Sequence, residues 1–300
     1  MKKMLLFIGT LCMIIAQSCT DSTTQQNIDD ILADDTVQVK ENEDDAKIIF
    51  RNVPSPVEMA SLLKRAGAKY DESILNPVEN KNNYSSNISM ALNLGVYSAD
   101  LSFASMFNQS QASINYLATC KKLAEDLGIM DAISSGTMNR MEDNIQNKDS
   151  LMNIISETLM NSDSFLKENE RASTAAIVLV GGWLEGLYLA TEISKTTEEN
   201  KELIDRITDQ RLSLETLLAL LGDHKDDPDV QTINAELITI ADIFKTVSVT
   251  TSKVEAVTDT VKNTTVLKSN TQVNMSPETY NELCAKVAVF RGKIVHGEII

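Results

Sequence analysis

Apolar residues recur at helical spacing over most of the chain from residue 48 onward. Two seams show the pattern most clearly, because buried-type side chains return every three or four residues through 203–221 and again through 230–247. The loop 222–228 between them is short, which favours an antiparallel helix pair within the chain over a coiled coil with another protein. The seam residues are Leu203, Ile207, Gln210, Leu214, Leu217 and Leu221, then Val230, Ile233, Leu237, Ile240, Phe244 and Val247.

Capping signals mark the ends of several helices. Ser55 is followed by proline and then by Glu58, a pairing that satisfies two backbone donors of a helix start, and a serine and a proline open a last helix at 276–277 in the same way. The sequence therefore predicts an all-α fold, a single multi-helix bundle domain of eight to nine helices. Besides the two seams and the two terminal helices, the pattern predicts helices at about 86–107, 110–128 (with Ser110 as the cap), 131–146, 149–169 and 171–194.

The segment 246–275 departs from this pattern. Threonine, valine and asparagine crowd it, and β-branched residues favour extended chain. We therefore expect a short extended or β-hairpin segment near 262–275.

The stretch 172–184 carries no charge, and it contains Trp183, the only tryptophan of the chain. A helix that is apolar on every face is buried on every face, so this helix is predicted to be the centre of the fold. Its glycines, Gly181, Gly182 and Gly186, favour close crossing of a neighbouring helix. A phosphate-binding loop is disfavoured because no Lys-Ser/Thr follows, and a membrane span is disfavoured because the apolar run is short and Glu185 interrupts it.

The N-terminus has the features of an export signal. Two lysines precede an apolar stretch at 5–16, and the sequence Ala-Gln-Ser-Cys at 16–19 resembles the lipobox of bacterial lipoproteins. The resemblance implies that residues 1–18 are a signal peptide, removed by cleavage after Ser18. It also implies that Cys19 is lipidated and anchors the protein to a membrane.

Residues 19–47 are rich in acidic and small polar side chains and contain no aromatic residue, which predicts a flexible acidic tether. The helical bundle domain is predicted at 48–300. Loss of Lys2 and Lys3 with the signal peptide takes the formal charge from −16 to −18. This charge argues against nucleic acid as a partner, and it leaves the lipid anchor rather than a basic patch to hold the protein at a membrane.

Together with the lipobox and the tether, two stretches of the domain resemble uncharacterised all-helical lipoproteins of Bacteroidota. They are the sequence ALNLGVYSADLSFASMF at 91–107 and the late helix that begins Ser-Pro-Glu-Thr-Tyr at 276–280. The resemblance implies a cell-envelope protein, lipid-anchored to the outer membrane rather than the inner one. It carries no catalytic motif.

The sequence contains no nucleotide-binding, serine-hydrolase or zinc-protease motif, and two histidines are too few for most metal sites. We therefore expect no metal, no cofactor and no enzymatic activity. The acidic loop 222–229 is interpreted as a helix cap rather than a calcium site. Asp100 and Glu185 lie in the two most apolar helices, where they could form a buried acid–base couple. We favour the alternative that each acid either faces the rim of the bundle or is paired with a backbone donor or with an arginine such as Arg171 or Arg291.

These observations favour a non-catalytic binding or scaffolding lipoprotein with an envelope protein as its partner. The alternative is a small-molecule or peptide binder with a cleft between helices, for which Trp183, Tyr97, Asp100 and Glu185 are the candidate binding residues. An unrecognised hydrolase that uses Asp100 or Glu185 is the third hypothesis. Cys120 and Cys284 are interpreted as free thiols, with a disulfide left open.

Overall fold

The computed structural model describes residues 52–133, 135–196, 201–251, 255–259, 264–268 and 271–299, and nine α-helices lie within them. This confirms the predicted all-α bundle. The expected signal peptide, Cys19 and the expected tether lie outside the described residues. The helices are α1 (Pro56–Arg65), α2 (Asn87–Met106), α3 (Ser110–Asp126), α4 (Ser135–Asp143), α5 (Lys148–Glu168), α6 (Ala172–Thr196), α7 (Lys201–Gly222), α8 (Pro228–Phe244) and α9 (Pro277–Val295), with short 3-10 turns at Glu72–Ile74, Val78–Asn83 and Met130–Ala132.

Side-chain caps hold the predicted helix starts. The Ser55 hydroxyl accepts a hydrogen bond from the Glu58 backbone at 3.2 Å, and the Glu58 carboxylate accepts one from the Ser55 backbone at 2.8 Å. At the start of α8, the Asp227 carboxylate accepts from the Asp229 backbone at 3.0 Å. The acidic loop before α8 thus acts as a helix cap, as its sequence predicts.

Two predicted boundaries are wrong. Ser110 is the first residue of α3 rather than its cap, and Gln109 at the cap position makes no side-chain capping bond. The helix expected at 131–146 is instead a 3-10 turn followed by the shorter α4. Two serines and a glycine at 134–136 have low helix propensity, which accounts for the break.

The extended segment forms two antiparallel pairs. Strand β1 (Ser248–Thr251) pairs with β4 (Thr271–Asn274), and β2 (Glu255–Asp259) pairs with β3 (Thr264–Lys268). The expected extended segment near 262–275 is confirmed, but a hairpin within it is wrong, because β3 and β4 pair with β2 and β1 and the paired region begins at Ser248. The reason is that β-branched residues occupy the first half of this segment as fully as the second, so both halves pair.

Helices α2 and α6 cross closely at the centre of the bundle, and two glycines make the contact possible. A Cβ atom at Gly95 would lie 2.5 Å from the backbone nitrogen of Gly182. One at Gly181 would lie 2.8 Å from the carbonyl carbon of Leu92 and closer still to its oxygen. Backbone therefore packs directly on backbone, which confirms the close crossing predicted for the glycines of α6.

Helix α6 has 25 residues, so by length and composition it is able to cross a membrane, contrary to the expectation that the run is too short. However, 78% of its most apolar window is buried inside the bundle, by α1, α2, α5, α7 and α9. This burial is typical of the core helix of a globular domain and confirms α6 as the centre of the fold.

The two seams behave as one intramolecular pair. All six seam residues of α7 are buried, and so are the first five of α8. The two helices pack against each other, as the short loop between them predicts.

Candidate functional site

A narrow apolar cleft lies among α2, α3, α5 and α6, beside Trp183. Its volume is about 90 Å³. The lining residues that retain partial exposure lie mainly on α3, on α5 and on one edge of α6, so the cleft reaches solvent between α3 and α5. The apolar part of its wall includes Leu94, Leu101, Leu117, Ile129, Ile133, Met138, Met141, Ile155, Leu166 and Leu179.

Trp183 forms part of this wall, and its ring is held in place by a hydrogen bond. Its indole Nε1 donates to the side-chain oxygen of Gln210 at 3.0 Å, and only 2% of the residue is exposed. The glutamine in the otherwise apolar seam of α7 is therefore the buried partner that a buried indole requires.

Two hydroxyls in the wall are hydrogen-bonded within their own helices, and one carboxylate forms an ion pair. The hydroxyl of Ser98 donates to the carbonyl of Leu94 at 2.7 Å, and the hydroxyl of Thr158 donates to the carbonyl of Ile154 at 2.7 Å. The carboxylate of Asp163 lies 2.8 Å from the ammonium of Lys167. Burial raises the pKa of Asp163, although Lys167 opposes this shift.

Cys120 also lines the cleft, but it is not an activated nucleophile. Burial raises the pKa of its thiol to about 12, and the Ser98 hydroxyl at 3.9 Å opposes this shift only in part. The thiol is therefore protonated at neutral pH, whereas a reactive cysteine requires a thiolate. Cys120 and Cys284 are both free, as the sequence interpretation favoured.

Asp100 and Glu185 do not line the cleft, and both are fully buried rather than at the rim. The guanidinium of Arg291 donates to both oxygens of Glu185, at 2.9 and 3.0 Å. The Asp100 carboxyl accepts from the backbone of Asn76 at 3.1 Å. A backbone donor and Arg291 thus hold the two acids, as expected, while Arg171 binds the carbonyl of Leu127 instead.

The two acids lie close enough for the charge of Glu185 to affect the protonation of Asp100. Burial raises the pKa of Asp100, and the charge of Glu185 raises it further, while Arg291 opposes both effects. Asp100 is thus the protonated member and Glu185 is the counterion of Arg291. Neither acid lines the cleft, and the ion pair of Arg291 with Glu185 joins α9 to α6.

Tyr97 belongs to the same buried polar layer. Its hydroxyl donates to the carbonyl of Pro77 at 2.8 Å, while Tyr84 donates to the carbonyl of Val295 at 3.0 Å and Asn93 donates to that of Ile294 at 3.0 Å. These bonds tie the loop before α2 and the end of α9 to the core.

Of the four predicted binding residues, the structure places Trp183 at the cleft, whereas Tyr97, Asp100 and Glu185 are buried in the core and do not line it. Sequence reasoning missed Lys121 and Ser162, which lie on opposite walls of the cleft. Nothing in the sequence pairs them, because they are on different helices and occupy ordinary half-buried helical positions.

Within the described ranges, no group of three or more histidine, cysteine or acidic residues is arranged to hold a metal ion. Comparison of the chain with protein families, with curated proteins and with solved structures finds no match.

Proposed function

We propose that this chain is a non-catalytic binding module of the cell envelope whose helical domain holds a slender alkyl chain in the cleft beside Trp183. The observation that carries the proposal is the cleft itself, a largely apolar space of about 90 Å³ that reaches solvent. Ligand sites in proteins are concave and mostly apolar, with a few polar groups that orient the ligand.

The size of the cleft favours a chain over a ring. An engineered apolar cavity of about 150 Å³ accepts benzene, whereas this one is smaller, at about 90 Å³. An alkyl chain lies along this space toward the mouth, and the flexible side chains of Met138 and Met141 in the wall are able to adjust around it.

The chemistry of the cleft supports binding rather than catalysis. Its thiol, Cys120, is protonated, and its one carboxylate, Asp163, is already paired with Lys167. Among the described residues of the wall, no hydroxyl or thiol lies against a free base that would activate it. A hydrolase would need such a pair.

A chain-length series tests the proposal. Isothermal titration calorimetry with hexanol, octanol and decanol should show one site per protein, with affinity rising about fourfold for each added methylene until the cleft is full. Cys120→Phe places a ring in the mouth and should abolish this binding. Val289→Phe adds the same ring at an exposed position of α9 and should leave it intact. Absence of binding, or equal binding by both variants, would contradict the proposal.

The location of the module rests on the N-terminal sequence. We propose that cleavage after Ser18 and acylation of Cys19 anchor the domain to the outer membrane through an acidic spacer. Cys19→Ala should then release the protein into the soluble fraction and abolish fatty-acid labelling. Labelling that persists in this variant would disprove the anchor without affecting the cleft.

A second candidate function, the binding or scaffolding of an envelope protein, is favoured by the β-strands. Each of the two sheets contains two strands within the described part of the chain. Two-stranded hairpins are marginally stable alone, and their free edges accept an added strand from a partner. If this function holds, a protein crosslinked to the native chain should be lost when β2 and β3 are deleted, while alcohol binding is retained.

A further inference from the structure

Two polar groups of the cleft have no partner among the described residues. Lys121 on α3 and Ser162 on α5 line opposite walls, and no ion pair or side-chain hydrogen bond occupies either of them. Both are hydrogen-bond donors, and the lysine carries a positive charge. The mouth of an apolar cleft therefore presents an uncommitted ammonium and an uncommitted hydroxyl.

The other polar groups of the wall do not compete for a ligand. Ser98 and Thr158 use their hydroxyl hydrogens within their own helices. The Asp163 carboxylate forms an ion pair with Lys167 at 2.8 Å, so its charge is balanced within α5, although its Oδ2 makes no hydrogen bond with the described residues. The ammonium of Lys121 and the hydroxyl of Ser162 therefore favour a ligand that accepts hydrogen bonds and carries negative charge.

We propose that the cleft is selective for a single-chain alkyl carboxylate, an ionised fatty acid. Its tail lies along the apolar wall beside Trp183, and its carboxylate accepts hydrogen bonds from the ammonium of Lys121 and the hydroxyl of Ser162. This inference rests on the proposed function, because it names the head group of the chain that the cleft holds.

The neighbouring lysine provides a matched control. Lys122 follows Lys121 on the same helix, but its side chain is 55% exposed and pairs with Asp126 one turn further along. It does not line the cleft. Substitution of either lysine changes the net charge by the same amount. A difference in decanoate affinity between the two variants therefore reports the local contact rather than the overall electrostatic field of the acidic protein.

The test compares decanoate with decanol at neutral pH by isothermal titration calorimetry of the full chain. Decanoate should bind about tenfold more tightly than decanol, the advantage expected from a charged hydrogen bond. Lys121→Gln should remove that advantage and leave decanol binding unchanged. Lys121→Arg should retain most of it, and Lys122→Gln should match the unaltered protein.

The outcomes separate the two proposals. If decanol and decanoate bind equally, or if Lys121→Gln and Lys122→Gln weaken decanoate binding alike, the carboxylate inference is wrong and the alkyl-binding function stands. If neither compound binds, the proposed function fails with it. Ser162→Ala should weaken decanoate binding by a smaller factor than Lys121→Gln, and a larger loss would also contradict the assignment of Lys121 as the principal contact.

Discussion

Replacing Gly181 with alanine should destabilise the protein strongly, although alanine is the better helix former. The added Cβ atom would lie 2.8 Å from the carbonyl carbon of Leu92 and closer still to its oxygen. Both neighbours are backbone atoms of α2, so no side-chain rotation relieves the overlap. Ordinary contact between such atoms is about 3.5 Å, so the two helices would have to separate by something on the order of 1 Å.

The free-energy cost follows from where this separation occurs. Helices α2 and α6 form the centre of the bundle, and moving them apart loosens the packing of every helix around them. Overpacking of a core typically costs about 1–3 kcal/mol and occasionally more, while the gain in helix propensity from alanine is at most about 1 kcal/mol. Because the overlap is with backbone atoms, we take the upper end of this range and expect a net loss of about 2 kcal/mol in the free energy of unfolding.

Urea unfolding followed by far-UV circular dichroism measures this loss, with Gly292→Ala as the control. Gly292 lies within α9, and a Cβ atom there would meet nothing within 4 Å. That variant should be neutral or more stable by up to about 1 kcal/mol. If Gly181→Ala is as stable as Gly292→Ala, the close crossing of α2 and α6 is wrong.

Three further outcomes test the core. Glu185→Gln leaves Arg291 buried without a counterion and should cost about 3–5 kcal/mol in urea unfolding; a loss below about 1 kcal/mol would show that the pair is solvated. The raised pKa of Asp100 means that the folded chain keeps a proton that the unfolded chain releases. The free energy of unfolding should therefore fall as pH rises above about 4, the ordinary pKa of aspartate, and Asp100→Asn should lose that part of the pH dependence. Trp183 should emit at blue-shifted wavelengths until the protein unfolds, and exposed-indole emission from the folded protein would refute its burial.

Much of the fold could be predicted because the chain marks it locally. The uncharged stretch around Trp183 indicates burial on every face, and the serine and glutamate at 55 and 58 specify a helix start by themselves. These are statements about one segment at a time. They require no knowledge of how the segments pack.

The partners of the buried acids show where such reasoning ends. A carboxylate inside an apolar helix requires a cation or donors, so a backbone donor or an arginine was expected for Asp100 and Glu185 unless they lay at the rim. The choice of Arg291 over Arg171 depends on how α9 packs against α6, which the helical pattern of either segment does not specify.

The cleft was predicted only in part, for a related reason. Trp183 and Tyr97 were expected to share it, yet only Trp183 lines it, while the Tyr97 hydroxyl bonds the carbonyl of Pro77. Because α2 is buried almost all around, its sequence has no polar stripe to indicate which face turns to which neighbour. The gap between α3 and α5 arises from the packing of four helices together. The sequence around Lys121 and Ser162 therefore indicates two half-buried helical positions, but it does not indicate that both line one cleft.

The central claim is that an alkyl chain lies in the cleft beside Trp183, and fluorescence quenching by a brominated chain tests it most directly. Bromine quenches indole only at close range, and Trp183 is the only tryptophan of the protein. Titration with 10-bromodecanoate should quench the emission to saturation at one equivalent per protein, and excess decanoate should restore it. Calorimetric binding of 10-bromodecanoate without quenching would place the chain elsewhere and contradict the account.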